Sequence, residues 1–109
     1  MIFLGWDISP NEIEIDASNS RSTDCRLYLT NNTNKERPFE FIWPAKTLVI
    51  TPSKDQIPPH GKLGVRIDAR HTFLSKHEEN SWSGSVYVQC GENQKVSLQY
   101  SLSILVLVL

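Results

Sequence analysis

The chain has 109 residues, the usual size of one domain, and should bury roughly two thirds of the surface its unfolded form exposes. Its 11 basic and 12 acidic residues are interspersed and leave a formal charge of -1, which gives no long-range field for nucleic acid or an anionic membrane. With 39% hydrophobic residues the chain is too apolar to stay disordered, and it shows neither a signal-peptide pattern nor a run approaching the roughly 18–20 apolar residues of a bilayer span.

Phe3 to Ser9 reads as a first strand closed by Pro10. Glu12 to Ala17 alternates, with Ile13 and Ile15 on one face; proline between two strand pieces marks an edge strand that breaks and switches sheets. Thr23 to Thr30 is a central strand with Cys25, Leu27 and Leu29 inward, followed by the polar hairpin loop N-N-T-N-K-E-R. Phe39 and Phe41, with Trp43 continuing the face, form the next strand, which Pro44 ends. Leu48 and Ile50 lie inward on a further strand closed by Thr51-Pro52, and S-K-D-Q reads as a polar turn. Ile57 and P-P-H-G then force a change of direction before Leu63, Val65 and Ile67 alternate with polar residues.

His71 to Ser81 is the longest polar interruption and has room for a helical turn. Trp82, Gly84, Val86, Val88 and Cys90 face inward on the following strand, and G-E-N-Q supplies a tight hairpin loop. From Lys95 onward Val96, Leu98, Tyr100, Leu102 and Ile104 share one face. Seven or eight alternating strands with Asn, Pro and Gly between them predict an all-β, immunoglobulin-like antiparallel sandwich. No internal repeat or boundary divides it, so residues 1–109 are expected to form one domain of a larger multi-domain protein.

Cys25 and Cys90 fall at the B and F positions of an immunoglobulin sandwich, where a disulfide would join the sheets. Trp43 comes too late after Cys25 for that pattern, and Tyr87 stands one position too far before Cys90. Two reduced core thiols are therefore expected, with the immunoglobulin disulfide as the alternative. The Asn31-Asn32-Thr33 sequon is a weak signal that a hairpin loop explains equally well. Ser9-Pro10 and Thr51-Pro52 fit minimal proline-directed phosphorylation sites, but proline ending a strand accounts for both.

His60, His71 and His77 have no metal-ligand spacing with each other or with the cysteines, and exposed loop histidine is the expected state of all three. No glycine-flanked serine, nucleophile elbow or phosphate loop occurs, and the carboxylates are scattered. The expectation is a non-enzyme with no metal, cofactor, small-molecule substrate, nucleic acid or membrane partner. Two features stand out for binding. The unpaired edge of a sheet can accept a strand from another chain. The tail I-L-V-L-V-L is apolar on both faces, so Leu105, Leu107 and Leu109 are candidate protein-interaction residues; each leucine left in water forgoes about 1.5–3 kcal/mol.

L-T-N-N-T, P-F-E-F, I-T-P and I-P-P-H-G before V-R-I, in this order and spacing, resemble the PapD-like and major sperm protein superfamily, and within it the ASH domains of abnormal-spindle, spindle-defective and Hydin proteins. The likeness spans about Trp6 to Leu102. It implies a cytoplasmic, cytoskeletal scaffold domain with protein partners, at the centrosome or centriole in the spindle-defective type, supporting centrosome maturation and mitotic spindle assembly. A ciliary axonemal protein of the Hydin type and an extracellular immunoglobulin-like domain are the alternatives. F-I-W-P-A-K stands where peptide-binding members of the superfamily carry a basic, threonine-rich strand, so their acidic ligand is not implied. No basic cleft pair of the pilus chaperones is present either.

Overall fold

The computed structural model describes residues 2–3, 5–16, 24–70, 80–91 and 94–104. In chain order the strands are β1 (Ile2–Phe3), β2 (Trp6–Ser9), β3 (Glu12–Asp16), β4 (Asp24–Asn31), β5 (Arg37–Ile42), β6 (Leu48–Thr51), β7 (Lys54–Ile57), β8 (Lys62–Ala69), β9 (Asn80–Cys90) and β10 (Gln94–Ile104). They make two five-stranded sheets, β1-β2-β4-β8-β6 and β3-β10-β9-β5-β7. Every ladder is antiparallel except β3 on β10.

Alternation drives this arrangement. Leu27 and Leu29 of β4, Val65 and Ile67 of β8, and Leu48 and Ile50 of β6 are buried on the inner face of the first sheet. Phe39, Phe41, Val86, Val88, Leu98 and Leu102 meet them from the second. Phe39 and Phe41 contact edge to face, with centroids 5.8 Å apart. Trp6 and Ile8 close one side of this core, and Ile13 and Ile15 another.

The chain changes sheets twice at proline. β2 ends at Ser9 in the first sheet, and after Pro10 the chain continues as β3 in the second. β6 ends at Thr51 in the first sheet, and after Pro52 the chain continues as β7 in the second. Both prolines follow cis peptide bonds. The first crossing matches the sequence reading; the second corrects it, because S-K-D-Q is not a turn. Lys54–Ile57 pairs antiparallel with β5, Gln56 opposite Pro38 and Lys54 opposite Glu40. Only Ile57 of this strand is buried, so a polar edge strand left no alternation to read.

The expected Phe3 to Ser9 strand is broken at Gly5, whose φ of +87° favours glycine. Its carbonyl accepts the N–H of Asn32 at 2.7 Å, and a Cβ there would lie 2.6 Å from Thr33 Cγ2. β1 and β7 thus bring the strand count to ten among the described residues, above the seven or eight expected. Of the stretch 71–81, with its expected helical turn, 71–79 lie outside the described residues and Asn80 and Ser81 belong to β9; the side chain of Trp82 is outside the description as well.

Gly84 serves packing. It sits opposite Tyr100 in the β9–β10 ladder, and a Cβ on it would fall 2.7 Å from Tyr100 Cε1. Tyr100, buried to 8% exposure, lies across the gap that glycine leaves. Gly84→Val should destabilise the domain by about 1–3 kcal/mol through overpacking, read as a lower urea midpoint with unchanged slope. An unchanged midpoint would show that Tyr100 yields freely.

Candidate interaction surface

One end of the sandwich is organised by Asn31, the last residue of β4 and fully buried. Its Nδ2 donates to the carbonyls of Lys35 (2.7 Å), Ile57 (3.0 Å) and Pro58 (3.2 Å). Its Oδ1 accepts from Thr33 N–H (3.1 Å) and Thr33 Oγ1 (2.6 Å). The amide therefore ties β4 to its own hairpin loop and to the end of β7. This answers the sequon: an amide nitrogen already given to three carbonyls inside the protein is no glycan acceptor in the folded state. His60, exposed as expected and at φ 58°, is held to the same loop by Nε2···Asn34 Oδ1 at 2.7 Å. His71 and His77 lie outside the described residues.

Arg37 stacks over the Trp6 ring at 4.7 Å at this same end, and Trp6 pairs with Asn31. Cys90 sits here too: Gly91 N–H donates to Pro38 O at 2.8 Å, directly after Arg37. Cys25 lies at the other end of β4, six residues from Asn31, or about 20 Å at 3.3–3.4 Å per residue. A disulfide needs Cα atoms within about 7 Å. Both thiols are free, as expected. Cys90 is fully buried, whereas Cys25, expected inward, is only half-buried at the start of its strand. Burial pushes the Cys90 thiol up to about 12, with the Arg37 guanidinium pulling in the opposite direction. Burial also raises Cys25, against a hydrogen bond from the Glu14 backbone and with Asp24 and Glu14 adding to the rise.

The sheet edges, candidate acceptors for an incoming strand, are closed by the chain itself at single positions. On β6 the Thr47–Arg70 bond (Arg70 N–H to Thr47 O, 2.7 Å) makes Leu48 point its backbone groups away from β8, because antiparallel pairs alternate. Pro44 O takes the Leu48 N–H at 3.2 Å, and the Trp43 indole N–H takes Leu48 O at 2.8 Å. On β7 the Phe41 N–H bond to Ser53 O (2.8 Å) turns the N–H of Gln56 outward by the same rule, and Asp55 Oδ1 caps it at 2.7 Å. Pro52 and Pro58 flank β7 as well. These are the devices by which edges are kept from pairing.

The outer faces differ in kind. On the first sheet Arg66 Nε lies 2.9 Å from Asp68 and 3.5 Å from Asp24, with Arg26 opposite Arg66 and Lys62 over Tyr28 at 5.0 Å. On the second, β9 and β10 present Ser83, Ser85, Ser97, Gln99 and Ser101. Ile42 and Tyr87 face each other in register at 48% and 38% exposure, with Lys95 over Tyr87 at 4.8 Å. Glu12, Glu14 and Asp16 form the rim on β3. Two shallow grooves meet at Pro38 and Gly91, one of about 300 Å³ beside Lys54 and Gln56, the other of about 480 Å³ beside Lys35 and Gln94. Among the described residues no three His, Cys, Asp or Glu are placed to hold a metal ion. Leu105, Leu107 and Leu109 lie outside the described residues.

The family model described as Cep192 domain 6 matches residues 4–102. The human Centrosomal protein of 192 kDa is 27% identical over 92 residues, 83% of this chain. The chain spans 4% of that protein's length. Among solved structures, the periplasmic chaperone SfaE superposes with a TM-score of 0.76 at 16% identity, over 96% of this chain and 59% of that one. The ASH/PapD-like domain 7 of human CEP192 gives 0.72 at 12% identity, over 93% of this chain and 85% of that one. At such identities these structures speak for the fold, a PapD-like immunoglobulin-type sandwich, as the sequence motifs implied. The ciliary alternative gains no support from these comparisons.

Two outcomes follow from the geometry. Asn31→Asp places a carboxylate against three carbonyls and should cost about 3 kcal/mol or more, measured by urea unfolding; a loss under about 1 kcal/mol would show that the loops hold without it. For the thiols, folded pKa values above the unfolded value mean stability intact below the unfolded pKa and lost as pH rises from about 9 towards about 12. Cys90→Ala should flatten that alkaline fall in the urea midpoint, and in the native protein iodoacetamide should label Cys25 before Cys90. Equal labelling rates would contradict the burial.

Proposed function

We infer from the Cep192 domain 6 family, to which this chain belongs through residues 4–102, that it is one PapD-like sandwich of a longer centrosomal scaffold protein. The domain binds other proteins and catalyses nothing. In the parent protein it supports centrosome maturation and mitotic spindle assembly, in the cytoplasm at the centrosome. The observation that carries this reading is the family match over nearly the whole sandwich, joined to a 27% identical centrosomal relative. The chemistry agrees with it. Among the described residues the core is apolar apart from the structural Asn31, and the grooves carry mixed, unconverged polar groups. The apolar run 104–109 adds a proposed second contact through Leu105, Leu107 and Leu109.

Proximity labelling in dividing cells tests this reading. The full-length parent lacking residues 4–102 should lose a defined set of centrosomal neighbours, while removal of residues 105–109 alone should lose part of that set. An unchanged set after the larger deletion would overturn the scaffold reading; an unchanged set after the smaller one would remove the tail as a contact.

A further inference from the structure

We propose that the outer face of the β3-β10-β9-β5-β7 sheet docks a segment of another protein that carries basic side chains and a bulky apolar one. The cations meet Glu12 and Glu14, and the apolar group rests on Ile42 and Tyr87. This proposal builds on the reading of the domain as an interaction module and names the partner's chemistry.

Three observations converge on that occupant. First, Ile42 and Tyr87 are direct cross-strand neighbours and both are exposed, so a bulky apolar group set on them removes apolar surface from water on both sides. Lys95 stands over the Tyr87 ring at 4.8 Å, as Lys62 does over Tyr28 on the opposite sheet, but only Tyr87 has an exposed apolar partner, Ile42, beside it among the described residues. Second, Glu12 and Glu14 look across to Gln99 and Ser101 on β10, both uncharged. The first sheet sets Arg66 against its carboxylates instead. The β3 rim therefore offers negative charge that its register neighbours do not offset, and a cation from a partner supplies the complement.

Third, the ground between the two ends is nearly level. Ser97, Ser85 and Gln99 separate Tyr87 from Glu12. Short side chains there lose little rotamer freedom on being covered. From β5 to β3 the face crosses three strand spacings, about 14 Å at 4.7–4.9 Å each. An extended partner covers that span with about five residues, running across the strands. The contact proposed is made by side chains on the face, where the exposed apolar pair and the carboxylates lie.

The test uses the 109-residue chain, labelled with nitrogen-15, and three synthetic peptides of about five to ten residues, long enough for the span. One alternates lysine and serine around a central Leu-Phe pair, the second has glutamate for lysine, and the third has serine for Leu-Phe. The first peptide should shift the amides of Glu12, Glu14, Ile42 and Tyr87. Its affinity should fall by about tenfold or more in Tyr87→Ser and in the Glu12→Lys, Glu14→Lys double variant, and it should weaken as salt shortens the Debye length below about 10 Å. The other two peptides should bind more weakly by a similar factor. Each variant's remaining spectrum reports that it is folded.

Equal binding of the glutamate peptide, shifts confined to β7 or the end grooves, or no shifts with any peptide would overturn the proposal. Concentration-dependent shifts at Ile42 and Tyr87 without peptide would also overturn it, in favour of a second copy of the chain. A domain that keeps its centrosomal neighbours in cells but ignores the basic peptide defeats only the docking chemistry. The converse result defeats only the centrosomal reading.

Discussion

The end of the sandwich that carries both grooves depends on one buried amide. Asn31 terminates β4 where an apolar residue would continue the alternation, and its five hydrogen bonds replace the packing such a residue would supply. Removing a polar group from water costs free energy unless every donor and acceptor finds a partner. Here the partners are Thr33 and Lys35 in the loop after β4 and Ile57 and Pro58 at the end of β7. The loop 32–36 and the turn after β7 are thereby held in place, and with them the position of Arg37 over Trp6. Cys90 is packed beneath this arrangement, which is why its thiolate form is so strongly disfavoured.

Proline does the corresponding work where the strands cross over. A residue without an N–H cannot extend a ladder, so the chain leaves the first sheet after Ser9 and after Thr51 and is free to join the second. The two crossings place β3 and β7 on opposite edges of one sheet. That sheet thus has a charged rim on each side, Glu12, Glu14 and Asp16 on β3 and Lys54 and Asp55 on β7, while its middle is serine, glutamine, isoleucine and tyrosine with Glu40 on β5 and Lys95 on β10. Topology concentrates the charge of the face: the strands that cross over carry most of it to the rims.

Period-two alternation made β4, β5, β8, β9 and β10 legible, because each pairs a continuous inward apolar row with an outward polar one. β7 was not legible, since K-D-Q-I has a single inward apolar residue and owes its place to pairing with β5. Gly5 hid inside an apolar run; it turns β1 back onto β2, with Phe3 opposite Trp6, at a positive φ, and Thr33, remote in sequence, occupies the space a Cβ would need. Asn31 looked like an ordinary turn asparagine or a glycan acceptor, because nothing local announces that its side chain reaches Ile57 and Pro58. For the interaction surface, the outward residues could be named from the sequence one strand at a time. That Ile42 lies beside Tyr87, and Glu12 beside Gln99, required the register between strands far apart in the chain.

Register also decides between the two ways a sandwich of this kind can hold a partner. A strand added at an edge draws its affinity from main-chain hydrogen bonds, so it needs a row of outward N–H and C=O groups. The alternation of hydrogen-bonded and open pairs places Leu48 and Ile50 of β6 and Lys54 and Gln56 of β7 in such rows, and the chain's own groups bond Leu48 on both sides and the Gln56 N–H. A strand arriving there would have to displace those bonds. The face of the second sheet carries no such prior claim. Its exposed apolar pair gains from being covered, and Glu12 and Glu14, set opposite uncharged Gln99 and Ser101, add direction to the encounter. The partly bonded edges and the face thus offer different kinds of contact: main-chain pairing at the edge, and selection by charge and shape on the face.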